Sequence, residues 1–289
     1  MQRIDTVAEL RAWRAGRATV AMVPTMGALH EGHLTHIDLA RRHANHVLVS
    51  VFVNPTQFGP HEDFDRYPRT LEADLAACEA RGASAVFCPA VEEVYPPQVP
   101  DVAIDVPGVS AGLEGKQRPG HFNGVCRVVA KLLNMARPDF ATFGRKDLQQ
   151  LRVLQALIAD LAMPIRVIEV PTVREGDGVA MSSRNRYLTE AGRAQARVIS
   201  RSLRACRETV ATRGHADVDD LETALRRTMT DAGLEVDYAV IRREPWLEGI
   251  DVVSVDGPAA VAVIAARVEG VRLLDNLLLN RRDPTDGPG

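Results

Sequence analysis

The chain has 289 residues, 46% apolar and 25% charged, with 35 Lys and Arg against 38 Asp and Glu for a formal charge of −3. This is ordinary globular composition, long enough to bury a substantial core and, at about 150 residues per domain, to form two domains. The charge balance argues against polyanion binding as the main task, and no run of eighteen apolar residues suggests a membrane span.

The opening stretch, MQRIDTVAELRAWRAG, is polar and helix-like and lacks the apolar core of a secretion signal. Short apolar runs then read as strands: TVAMVPT (19–25), HVLVSVFV (46–53), SAVFCP (84–89), FATFG (140–144) and IRVIEVP (165–171). Amphipathic runs over 33–43, 70–81, 122–136 and 147–162 predict helices between them. Buried strands alternating with helices predict an α/β domain with a Rossmann-like, doubly wound parallel sheet, whose ligands bind at the carboxyl ends of the strands. The Pro- and Gly-rich stretch from PPQVPD to RPGHF predicts an irregular excursion near that site.

Past GDGVAMSSRNRYL the pattern changes. Thr189 is a candidate N-cap for a helix to about residue 212, and a second helix fits 217–231. VDYAVIRR, DVVSV, AAVAVIAARV and VRLLDNLLL then read as strands without long helices between them. The expectation is a first domain over 1–180 and a smaller C-terminal α+β domain over 181–289, with a disordered tail, NRRDPTDGPG. The cysteines Cys78, Cys88, Cys126 and Cys206 are widely spaced and form no CxxC pair. They read as reduced thiols of a cytoplasmic protein, with neither a disulfide frame nor a zinc site.

The most informative stretch is PTMGALHEGH, Pro24 to His33. A strand ends near Thr25, Gly27 permits an unusual turn, and a helix begins near Gly32 or His33. The first turn of a helix has unpaired amides and a positive dipole end, which suits phosphate. Imidazoles there can hydrogen-bond phosphate oxygens. The spacing of three differs from the zinc-binding HExxH, and no third ligand is evident. In isolation, an HxxH pair is more often plain helix capping than a phosphate site.

Six ordered blocks widen the context: VPTMGALHEGH (23–33), VSVFVNPTQF (49–58), YPRTLEADL (67–75), LEGKQRPGHFNGV (113–125), PDFATFGRKDLQQL (138–151) and VPTVREGDGVAMSSRNRYL (170–188). In them the chain resembles the pantoate–β-alanine ligase family of the nucleotidyltransferase superfamily, with HEGH as its HxGH motif. The resemblance implies an enzyme that joins pantoate to β-alanine with ATP, through a pantoyl-adenylate, releasing pyrophosphate and then AMP. It also implies a homodimer acting on small molecules in the cytoplasm, with no nucleic acid or membrane partner. Mg²⁺ would be carried mainly by the triphosphate, with few direct protein ligands.

Residue by residue, the resemblance assigns catalysis to His30, His33, Lys146, Ser182, Ser183 and Arg184, with His33 the acid. It assigns ATP contacts to Met26, Gly27, Ala28, Leu29, His30, Glu31, Gly32 and His33, to Gly144, Arg145, Lys146 and Asp147, to Val173 through its backbone, and to Met181, Ser182, Ser183 and Arg184. Gln57 and Gln150 would hold pantoate, Gln57 also β-alanine, and no protein residue is assigned to metal; Asp74 would be an outer contact for magnesium. Pro24, Met26 and Phe52 are candidates for the apolar wall, with Asn54 beside them, and His121 suits either a structural or a functional role. The C-terminal domain would close over ATP and exclude water from the acyl-adenylate.

Two positions depart from the family pattern. Arg145 stands where the family often has an acidic residue, and it would matter only if it faced the phosphates. Thr56 replaces a common methionine beside Gln57. Two other readings remain: a nucleotidyltransferase that leaves the nucleotide on its product, and a nucleotide-binding regulator without catalysis. Gln57 and Gln150 disfavour the first, because a phosphate-bearing acceptor calls for basic residues there. The intact His30, His33, Lys146 and SSR disfavour the second.

Overall fold

The computed structural model describes residues 1–60, 62 and 64–281 and divides the chain into two units. The first comprises Met1–Gly144 and Gln149–Val170, and the second Arg145–Leu148 and Pro171–Gly289. The short 145–148 segment therefore packs with the second unit, although both of its sequence neighbours belong to the first.

In chain order the first unit runs β1 (Gln2–Ile4), α1 (Val7–Arg14), β2 (Val20–Thr25), α2 (Glu31–His43), β3 (His46–Val51), α3 (Leu71–Ala80) and β4 (Ala85–Phe87). It continues with α4 (Val91–Val94), α5 (Pro107–Ser110), α6 (Leu113–Gln117), α7 (His121–Ala136), β5 (Phe140–Gly144), α8 (Leu148–Asp160) and β6 (Arg166–Val170). The strands form one parallel sheet in the order β1-β4-β3-β2-β5-β6. The chain moves outward from β2 through β3 and β4, then returns to pair β5 with the other edge of β2. That reversal is the switch point of a doubly wound sheet, where a crevice opens beyond the strand ends.

Central strands buried on both faces explain the continuous apolar runs: Val20, Ala21, Met22 and Val23 are all buried, as are Val47, Leu48 and Val49. Ala21, Val23, Val47, Val49 and Val86 pack with Ile37 and Ala40 of α2. Full burial of side chains such as Met22 and Leu48 stabilises the fold by roughly 1.5–3 kcal/mol each. Helix α7 buries Phe122, Val125, Val129 and Leu132, spaced to form one apolar stripe.

The second unit holds α9 (Glu190–Arg213), β7 (His215–Asp217), α10 (Val218–Asp231), β8 (Glu235–Arg243), β9 (Val252–Ser254), β10 (Ala260–Val268) and β11 (Val271–Leu278). Thr189 caps α9, its hydroxyl accepting from the Gly192 amide at 3.1 Å, and Gly214 ends the helix with φ of 79°. Strands β11, β10 and β8 form an antiparallel sheet, and β7 pairs antiparallel with β9. Glu269 and Gly270, both at positive φ, make the two-residue turn between β10 and β11. The core gathers Leu203, Leu225, Met229, Ile241 and Ile264.

The Rossmann-like parallel sheet and the smaller α+β part match the sequence expectation. Strands β1 and β7 were not anticipated; each has three residues, of which only Ile4 and Ala216 are buried, too short for a pattern. The tail expected to be disordered begins in ordered contacts. Asn280 donates to the carbonyls of Ser254 at 2.6 Å and Pro258 at 2.8 Å, and Arg281 to that of Val255 at 3.0 Å. The rest of the tail, 282–289, lies outside the described residues. No helix among the described residues is long and apolar enough to cross a membrane.

Candidate functional site

In the first unit, β2 ends at Thr25, whose hydroxyl donates to the Ser50 carbonyl at 2.7 Å and accepts from the Gly27 amide at 3.2 Å. Gly27 and Ala28 then take positive φ values of 82° and 52°. A Cβ on Gly27 would lie 2.9 Å from a carboxylate oxygen of Asp74, so both backbone angle and space require glycine. Asp74 is 3% exposed and accepts from the amides of Ala28 at 3.0 Å and Leu29 at 2.8 Å, with the Thr70 hydroxyl at 3.2 Å from both oxygens. Its carboxylate thus holds the turn.

The turn delivers His30 as the extended N-cap of α2 and His33 in the first helical turn. Their rings stack with centroids 4.0 Å apart and planes at 30°. The His30 amide donates to Nδ1 of His33 at 3.3 Å, so the neutral ring of His33 bears its proton on Nε2. Met26 Sδ accepts from Gln57 at 3.0 Å. Leu29 packs on the sheet core, and Gly32 is half-buried. The Glu31 carboxylate pairs with Arg81, which also reaches Asp38 at 2.7 Å. At the neighbouring strand end, Gly144 closes β5; a Cβ there would lie 3.3 Å from Nε2 of His36, whose Nδ1 is 3.0 Å from the Thr142 hydroxyl.

Gln57 lies in a 3-10 turn, Pro55–Gln57, against α7. The approach is so close that a Cβ on Gly124 would sit 2.1 Å from the Thr56 carbonyl oxygen. Asn54 is 1% exposed and organises this turn. Its amide donates to Gln57 Oε1 at 3.1 Å and to the Gly124 carbonyl at 3.2 Å, while its oxygen accepts from Thr56 at 2.9 Å and Tyr95 at 2.9 Å. Thr56 thus joins the polar network instead of filling an apolar space. His121 Nδ1 lies 2.9 Å from the Gln57 carbonyl and Nε2 3.0 Å from Arg118. Burial, aided by the Arg118 charge, holds its pKa below the ordinary imidazole value. Gln150 is half-buried in the first turn of α8; its neighbour Gln149 is buried and fastens the Pro/Gly-rich excursion by donating to the carbonyls of Val109 at 2.9 Å and Gly112 at 2.8 Å. Phe52 is buried and Pro24 half-buried.

In the second unit, Lys146, Asp147, Ser182, Arg184 and Arg272 line an open pocket. Lys146 Nζ lies 3.8 Å from the half-exposed carboxylate of Asp147. The Met181 amide donates to the Val173 carbonyl at 2.9 Å, closing a hairpin whose tip contains Gly178 at φ of 89°. Ser182 caps the 3-10 turn Ser183–Tyr187, its hydroxyl accepting from the Arg184 amide at 3.3 Å. Asn185 anchors that turn to Glu175 at 2.6 Å and to the Ala180 carbonyl at 3.1 Å. The Arg145 side chain is 7% exposed and meets Glu244 at 2.7 Å, so it is buried against a carboxylate.

Sequence reasoning missed Asn276, Asp275 and Arg174, which frame the Lys146 turn; the polar Asp275 and Asn276 inside the apolar run of β11 were the available signal. Burial pushes Cys78, Cys126 and Cys206 up to about 12 and Cys88 to about 11, leaving them protonated at neutral pH and poor nucleophiles.

A doubly wound sheet with an HxGH turn at the carboxyl end of its central strand defines a nucleotide-handling α/β protein. The sequence pattern of pantoate-beta-alanine ligase matches residues 2–278, and the chain belongs to that family. Pantothenate synthetase of Acidothermus cellulolyticus is 48% identical over 280 residues, covering 96% of this chain and 91% of the relative. The crystal structure of pantothenate synthetase from Thermus thermophilus superposes with a TM-score of 0.89 at 44% identity, covering 97% of this chain and all of the other. The pantoate-beta-alanine ligase of Francisella tularensis, complexed with beta-gamma ATP and beta-alanine, gives 0.80 at 29% identity, covering 98% and 99%.

Proposed function

We propose that this chain condenses (R)-pantoate with β-alanine at the expense of ATP, giving pantothenate, AMP and pyrophosphate. The observation that carries the reading is the stacked histidine pair on a glycine turn, in a chain that matches this ligase family over nearly its whole length. A pantoate carboxylate oxygen attacks the α-phosphorus and pyrophosphate leaves. The β-alanine amine then attacks the acyl carbon, loses a proton, and AMP departs. Adenylation supplies the leaving group, so no covalent enzyme intermediate is needed.

The protein's work is positioning and charge stabilisation. Nε2–H of His33 is a donor suited to an α-phosphate oxygen, with His30 beside it. The 26–33 turn and Gly144 contact the nucleotide, as does the backbone of Val173. Lys146, Ser182, Ser183 and Arg184 bind the phosphates; Met181 and Asp147 lie next to them. Arg145, engaged by Glu244, joins only through its backbone. Gln57 and Gln150 bind pantoate hydroxyls and carboxylate, and Gln57 also meets β-alanine. Mg²⁺ would enter on the triphosphate, which would supply most of its oxygen ligands. A first domain over 1–180 binds ATP and pantoate and a smaller one over 181–289 serves as a lid, in a cytoplasmic homodimer.

Pyrophosphate exchange into ATP, with and without D-pantoate, tests the reading. Exchange should require pantoate and should fall about 10²–10³-fold in His33→Ala. Exchange with a different acceptor, or none despite ATP binding, would refute it.

A further inference from the structure

Lys146 sits in a 3-10 turn, Arg145–Asp147, that sequence alone attaches to β5. A second attachment comes from far downstream. Nδ2 of Asn276, in β11, donates to the carbonyl oxygens of Arg145 at 2.8 Å and Lys146 at 3.1 Å. Both hydrogens of the amide are thereby used. Asn276 is 4% exposed and is itself held from two sides. It pairs with Val263 of β10 in the sheet register, and its backbone N–H donates to Oδ1 of Asp275 at 2.8 Å. Asp275 is 3% exposed and receives the fork of Arg174 at 2.7 and 2.9 Å. Arg174 also donates to the Gly178 carbonyl at 3.2 Å, in the hairpin that leads to Ser182.

We propose that Asn276 is a positioning residue for Lys146, fixing the backbone from which the ammonium reaches phosphate. The inference rests on the reading of Lys146 as a phosphate-binding cation. A lysine is a point charge on a flexible stem, so the placement of its backbone decides where the charge can dwell. Displacement of a catalytic group by about 1 Å can cost on the order of 10²-fold in rate. The frame of Arg174, Asp275 and Asn276 joins the Lys146 turn and the hairpin before Ser182 and Arg184 to one strand, so the cations that line the pocket are presented together.

The test is a double-mutant cycle read by pantoate-dependent pyrophosphate exchange, with kcat and the KM for ATP, alongside urea unfolding. Lys146→Ala should lower exchange about 10²-fold or more, as for loss of a charge-stabilising donor. Asn276→Ala should lower kcat about 10-fold, from partial misplacement. The double variant should be no slower than Lys146→Ala alone, because the amide acts through the ammonium. Losses that multiply, or normal exchange in Asn276→Ala, would overturn the proposal while sparing the phosphate reading. Normal exchange in Lys146→Ala would remove the phosphate reading and this proposal with it. Should Asn276→Ala fail to fold, the strand-compatible pair Asn276→Thr and Asn276→Val carries the comparison. Threonine keeps one donor, so Thr should exceed Val in kcat at matched stability; equal rates would overturn the proposal.

Discussion

Asp74 offers a sharp test of how the histidine turn is held. Its buried carboxylate meets the amides of Ala28 and Leu29 and the Thr70 hydroxyl. Asp74→Ala leaves the buried Ala28 amide and the part-buried Leu29 amide without their acceptor, at about 1–3 kcal/mol each and toward the lower end for Leu29. Water entering the space offsets part of this, so a loss of about 3 kcal/mol is expected. At roughly 2–4 °C per kcal/mol for a chain of this size, Tm should fall by about 6–12 °C. Asp74→Asn keeps the volume and one acceptor oxygen, so about half that loss is expected. Urea unfolding followed through Trp13, which is 4% exposed in the same unit, reports the change directly. Pyrophosphate exchange on the same samples should fall in both variants, because the turn sets the imidazoles. An Asn variant with an unchanged midpoint, or an Ala variant that loses less than about 1 kcal/mol, would show that other contacts hold the turn.

Gly124→Ala should unfold the protein or cost more than about 3 kcal/mol, because the new methyl meets backbone at 2.1 Å; a soluble variant with a normal midpoint would contradict the tight packing of α7 on Pro55–Gln57. Arg145→Met should cost about 1–3 kcal/mol by removing the guanidinium that meets the buried Glu244 carboxylate at 2.7 Å, and adding Glu244→Leu should recover part of it in urea titrations. His121 resists protonation in the fold, whereas the unfolded chain protonates near the ordinary value. Its contribution to stability is therefore complete above about pH 6.5 and declines as pH falls below that, and His121→Gln should flatten the urea-midpoint profile there. Gln57→Ala should raise the KM for pantoate far more than that for ATP; equal changes in both would count against its assignment.

The sheet was legible because its central strands are buried on both faces and therefore read as unbroken Val- and Ala-rich runs. The start of the long helix of the second unit was legible for a similar reason: Thr189 satisfies an amide at the helix start, a role few residue types fill. The histidine pair was found from glycine and spacing. Its support was not, because Asp74 is 45 residues from Leu29 and nothing local marks which acidic residue will be buried. The adjacent Gln149 and Gln150 illustrate the same limit: helical rotation buries one against the excursion and leaves the other half-buried, and the dipeptide alone cannot order them. Arg145 looked like a spare cation until its distant partner Glu244 was known.

The attachment of 145–148 to β11 has a practical consequence for dissecting this enzyme. A fragment starting at Pro171 would omit the stretch that occupies the Asn276 carboxamide, exposing two donors meant for carbonyls. A fragment ending at Val170 would keep Lys146 but lack the strand on which it rests. Neither piece would report faithfully on nucleotide binding, and splicing 145–148 onto the later fragment would restore only the carbonyls that Asn276 meets, because the histidine turn stays with the other piece.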